Sequence, residues 1–150
     1  MRCLSAVLIL WSSAGLAEDK PSDEVIRKEL AKLQGTWQAV VQKKNGSKVP
    51  IPPPELLALS QDRIEGNRKI VIFEGVELKE VKKTFRIDPT KEPKQMETLV
   101  EYRGKKELQR HIYKIDGDTL VIASCEDDTV FPKSFDQDGV GISIMKRVKK

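Results

Sequence analysis

His111, Cys125 and three acidic runs are the places in this chain whose residue types could do chemistry. His111 is the only histidine and lies in Gln109-Arg110-His111-Ile112-Tyr113, a segment with charged residues on both faces. A lone strand histidine reads as a surface or hydrogen-bonded residue, and zinc would need further Cys or His ligands that the chain does not supply in sets. Cys125 ends the apolar run Thr119-Leu120-Val121-Ile122-Ala123-Ser124 and by alternation shares a face with Val121 and Ala123. That placement predicts a buried, inert thiol. A reactive cysteine needs a base or a cation beside it, whereas Glu126, Asp127 and Asp128 would suppress the thiolate. The runs Glu126-Asp127-Asp128, Asp116-Gly117-Asp118 and Asp136-Gln137-Asp138 offer oxygens of the kind Ca²⁺ takes. Each also fits turn chemistry, because Asp tolerates left-handed backbone and bonds its own main chain, and we read all three as turns.

No G-x-S-x-G, H-E-x-x-H or P-loop pattern occurs, and nothing marks two of the 23 acidic residues as a glycosidase pair. Asn45-Gly46-Ser47 fits a glycosylation sequon, but Asn-Gly serves a hairpin turn equally well. The expectation is a protein with no catalytic residues, no metal and no cofactor. Its 27 Lys and Arg are interspersed with the acids, apart from the short tail Lys146, Arg147, Lys149, Lys150. A nucleic-acid footprint should cluster on one element, so no nucleic-acid partner is expected.

The elements that must position these residues begin after residue 17. Arg2 supplies a positive start, Leu4 to Trp11 form a short apolar run, and Gly15-Leu16-Ala17 is a small-x-small cleavage site. Such a run is too short to span a bilayer comfortably, so residues 1–17 read as a signal peptide and residues 18–150 as one exported domain. Cys3 precedes the apolar run, where a lipidated cysteine would follow it. Export to the periplasm, the cell envelope or the medium, with no membrane span left after cleavage, is the expected location. Cleavage would leave Cys125 alone, so the domain must be held by its core.

Residues 18–34 read as one helix, with Ser22 as N-cap, Ile26, Leu30 and Leu33 on one stripe, and Gly35 as the stop. From Thr36 the period becomes alternating. Trp37, Ala39 and Val41 point one way, and Asn45-Gly46 predicts a hairpin. Residues 49–54 are proline-rich, and Glu55 to Leu59 makes at most a short helix. Gly66-Asn67 is a turn, Ile70 to Phe73 an apolar run closed by Gly75, and Val81, Phe85 and Ile87 alternate with Lys82, Thr84 and Arg86. Strands are predicted at Met96–Tyr102, Leu108–Ile115, Thr119–Cys125 and Val140–Val148, with a short edge strand at Phe131–Phe135. Eight or nine antiparallel strands with frequent turns make a mainly β barrel or sandwich.

Leu33-Gln34-Gly35-Thr36-Trp37, a helix running into G-x-W at the first strand, is similar to the entrance of lipocalin and related calycin barrels. Together with Lys48-Val49-Pro50, the stretch Ile87 to Lys94, Tyr113 to Leu120 and Ile144-Met145-Lys146-Arg147, it resembles an uncharacterised lipocalin-like domain family common in planctomycete bacteria. The resemblance covers most of residues 30–148 and implies a small lipocalin-like antiparallel barrel with an N-terminal helix; it brings no established activity. It also implies structural roles for Gly35 and Trp37, with Trp37 packing across the closed end under the cation of Arg147 (or Lys146). The chain is shorter than a full lipocalin, and a shortened barrel is expected to fill its own interior.

Two roles follow from that fold. A binding module would hold a small apolar ligand at the open mouth among Phe73, Phe85, Tyr102 and Tyr113. An envelope or extracellular interaction module with a solid core would instead use edge strands and loops, above all segment 48–60 with Pro50, Pro52, Pro53, Pro54 and its leucines.

Overall fold

The computed structural model describes residues 20–45 and 52–150. The expected signal peptide, the Gly46-Ser47 part of the sequon and the Lys48-Val49-Pro50 stretch lie outside the described residues. The first helix, α1 (Asp23–Leu33), is shorter than the expected 18–34. Ser22 Oγ accepts from Val25 N–H at 3.4 Å, so its cap sets the start and leaves Lys20 and Pro21 outside. Lys20 and Pro21 precede the cap and cannot make the first turn.

Nine strands follow: β1 (Gly35–Lys44), β2 (Ser60–Glu65), β3 (Arg68–Phe73), β4 (Val76–Glu77), β5 (Val81–Asp88), β6 (Lys94–Tyr102), β7 (Lys105–Asp116), β8 (Thr119–Cys125) and β9 (Val140–Arg147). One turn of helix, α2 (Pro54–Leu57), precedes β2. Strands β1, β2, β3, β5, β6, β7, β8 and β9 pair in that order, all antiparallel, and β9 returns to β1. This closes an eight-stranded up-and-down barrel, with β4 as an extra strand beside β3. Closure removes the exposed sheet edges that such short strands would otherwise leave.

Three expectations are corrected. Among the described residues β1 does not turn back at Asn45-Gly46; its neighbours are β9 and β2, which starts only at Ser60. Asn45 instead ties the strand end to the β8–β9 connection, through Asn45 N–H to Val140 O and its side-chain amide to Phe135 O. Phe131–Phe135 forms no strand. Pro132 lacks a donor, and both rings are used to fasten the loop to the outside of the barrel. Arg110 lies over Phe131 at 5.4 Å and Lys114 over Phe135 at 4.7 Å. Finally, β1 is bulged between Ala39 and Val41, so Gln42 and Lys44, and not Val41, continue the inward face.

The core fills one end of the barrel. Trp37, Ile64, Phe85, Ile87, Met96, Tyr113, Leu120 and Met145 point inward there and are buried with Leu33 of α1. The helix plugs this end with Ile26 and Leu30 packed on the same cluster. Outside the barrel a smaller cluster of Ile112, Ala123 and Val140 is covered by Phe135.

Candidate binding site in the barrel lumen

The two ends of the lumen are built differently. At the closed end Trp37 Nε1–H donates to Leu33 O at 2.8 Å, and Arg147 stacks its guanidinium 4.2 Å from the Trp37 ring centroid. Arg147 also donates to the carbonyls of Gln34 and, at 2.7 Å, Lys32, which α1 would otherwise leave without partners, and to Asp118 Oδ1 at 3.1 Å. Gly35 has φ +112°, and a Cβ there would meet Arg147 Nη1 at 3.1 Å, so both backbone angle and space call for glycine. Glu29, on the buried face of α1, accepts from Lys94 at 2.6 Å and Lys32 at 3.0 Å. Burial pulls its carboxyl upward, but the Lys94 and Lys32 ammoniums outweigh that and hold it below the usual value. Tyr113 sits in the same network, its hydroxyl pushed up by burial and by the Glu29 charge.

Toward the other end the inward side chains shrink. On β8 they run Leu120, Ile122, Ser124, and on β9 they run Met145, Ser143, Gly141. A cavity of about 400 Å³ opens there, with Gln42 and Lys44 of β1, Ile122, Ser124, Gly141 and Ser143 among its walls. The lining mixes apolar carbon with hydroxyls, an amide, lysine ammoniums and the carboxylates of Glu126 and Asp128, which suits a small ligand with polar groups.

The residues singled out from sequence fall in different places. Phe85 and Tyr113 belong to the packed floor, while Phe73 and Tyr102 stand at the open rim, 37% and 40% exposed. All four share the inward face, but they do not form one cluster. Cys125 lies on the outer face, paired with Val140 and half-buried beside the small outer cluster. Burial and the charges of Asp127 and Asp128 push its thiol up, away from thiolate chemistry. In segment 48–60, Leu57 is buried while Leu56 and Leu59 are exposed. Among the described residues no group of three or more His, Cys, Asp or Glu is placed to hold a metal ion.

His111 is not on the surface: it is 8% exposed and points into the lumen, hydrogen-bonded through Nδ1 to Ser124 Oγ at 2.7 Å. A serine–histidine pair beside a cavity suggests a nucleophile and its base. Burial, reinforced by the charges of Lys69 and Lys83, lowers the imidazole to about 3, and no described carboxylate bonds its other nitrogen. So weak a base, without an orienting third group, is poorly suited to activating Ser124 at neutral pH.

Sequence reasoning missed the inward lysines. Lys69 of β3 is 8% exposed, and Lys83 lies directly across from it on β5. The alternation of β5 is Val81, Lys83, Phe85, Ile87 facing inward, a pattern that includes a cation among apolar residues. The buried Thr98 hydroxyl, on the neighbouring strand and the same face, has no hydrogen-bond partner among the described residues.

Fold and lumen together define a closed eight-stranded up-and-down barrel, packed at one end and hollow at the other. In comparisons with protein-family models, with curated proteins and with solved structures, nothing matches the chain.

Proposed function

We propose that this protein is an exported, non-enzymatic binding barrel, of the lipocalin-like kind its motifs resemble, that holds a small ligand in the hollow end of its lumen. The observation that carries the reading is the taper of β8 and β9 to Ser124, Gly141 and Ser143, which leaves about 400 Å³ open where the closed end is filled by Trp37, Leu120 and Met145. That volume lies in the range of ligand sites. The wall residues Ile122 and Ile142 supply apolar surface, and Gln42, Ser124 and Ser143 supply hydrogen bonds. The ligand that fits is therefore small and amphiphilic, with an apolar part and at least one polar group. The weak base at His111 and the suppressed thiol at Cys125 favour holding a ligand over transforming it.

Native mass spectrometry of the protein purified from the organism that makes it tests the reading. A discrete adduct of small-molecule mass, lost on denaturation, is expected. A chain that is bare in every preparation contradicts it.

A further inference from the structure

A second cavity, also about 400 Å³, lies on the opposite side of the barrel and carries an inference independent of the first. Strands β3 and β5 pair only at Arg68–Thr84 and Lys69–Lys83 and then part. The chain bridges the gap with β4 and Leu78, whose N–H donates to Val71 O at 2.9 Å. The cavity sits in this seam. Its walls carry Arg68, Lys69, Lys79, Lys82 and Lys83, against the single carboxylate of Glu77. Glu77 is already taken by Arg63. None of the five cations forms an ion pair or side-chain hydrogen bond with a described residue, and Lys69 is more than nine-tenths buried.

This arrangement is costly for the empty protein. Like charges directly opposite each other across a strand pair repel. A buried ammonium loses its hydration without a bonded counter-charge, since Asp62 acts on Lys69 only from beyond ion-pair distance. Burial accordingly lowers the Lys69 ammonium, with Lys83 adding to the effect. A fold meets such a cost when a ligand supplies the missing charge.

We propose that the β3–β5 seam is an anion site for a small phosphate-type ligand, inorganic phosphate or a phosphate monoester, with Lys69 and Lys83 at its base and Arg68, Lys79 and Lys82 around its mouth. Two inward lysines at the base of the seam, with further cations among its lining residues, match a compact multivalent oxyanion better than a single carboxylate.

The test is titration of the ¹⁵N-labelled full chain with inorganic phosphate, and separately with a phosphate monoester, against chloride at matched ionic strength. Saturable shifts confined to the amides of residues 68–70 and 77–84, with a rise in Tm that chloride does not give, are expected. Lys69→Gln and, at the exposed mouth, Lys79→Gln should each weaken phosphate about tenfold or more. Lys79→Gln keeps the test valid should Lys69→Gln fail to fold. Equal effects of phosphate and chloride, or unchanged binding in a folded variant, would overturn the site. So would an oligonucleotide that binds far tighter than either phosphate probe and is indifferent to both substitutions. A native-host adduct that survives Lys79→Gln, together with unchanged phosphate binding in that folded variant, would leave the lumen reading standing while this one falls.

Discussion

The closed end of the barrel and its hollow end are made from the same eight strands, yet they divide stability and function between them. At the closed end every large inward residue meets another, and Arg147 satisfies helix carbonyls, a carboxylate and an aromatic face at once. At the hollow end β8 and β9 present Ser124, Ser143 and Gly141, and the inward positions of β3 and β5 carry lysines. A barrel this small has little apolar residue to spare, so filling one end completely allows the other to stay polar and open.

Substitutions should break this contrast in a graded way. Trp37→Ala removes the largest buried side chain and the ring under Arg147, and should cost about 3–5 kcal/mol in chemical denaturation. Arg147→Ala keeps the ring but exposes it and orphans the Lys32 and Gln34 carbonyls; a loss of about 2 kcal/mol is expected from the same measurement. Equal, small losses in both would mean that the closed end does not hold the fold.

Acid should separate the two ends by pH. The folded-state value of His111 lies below its ordinary 6.5, so the neutral ring supports the fold above that pH. Its contribution is lost as pH falls from 6.5 toward 3, at about 1.4 kcal/mol per pH unit. Glu29 is also depressed, so its contribution persists above its ordinary 4.5 and is lost only as pH falls below it. Stability measured against pH should thus fall in two stages, and His111→Gln should flatten the upper one. An unchanged upper stage in that variant would place the lost protonation elsewhere. Smallest of all, Ser143→Ala at the hollow end should shift stability by no more than about 0.5 kcal/mol.

Much of this plan is legible in the residues. Alternation located the principal strands, Gly66-Asn67 and Asp116-Gly117-Asp118 their turns, and G-x-W the approach of α1 to β1. Alternation is reliable where one face is apolar and the other charged, as in Phe85–Ile87. It failed at the inward lysines, because Lys69 precedes the run Ile70-Val71-Ile72-Phe73 and Lys83 sits among Lys82 and Thr84, where a cation is expected to face water. The bulge at Ala39–Val41 and the folding of residues 126–139 over the outer face depend on partners far along the chain, and no local pattern announces them. The hollow end was hidden for a related reason: small residues on β8 and β9 mark a cavity only once their register places them on one wall.

The central claim, that the tapered end is a ligand site, is tested most directly by filling it. A Cβ at Gly141 would meet the Lys44 side chain and Ser124 O no closer than 3.9 Å, so a side chain can start there without a backbone clash, and Gly141→Leu places bulk on the cavity wall. Native mass spectrometry of wild type and Gly141→Leu, both purified from the native host, should show a small-molecule adduct on the first and none on the second, with Tm retained. Adducts of equal mass and occupancy on both proteins would contradict the site.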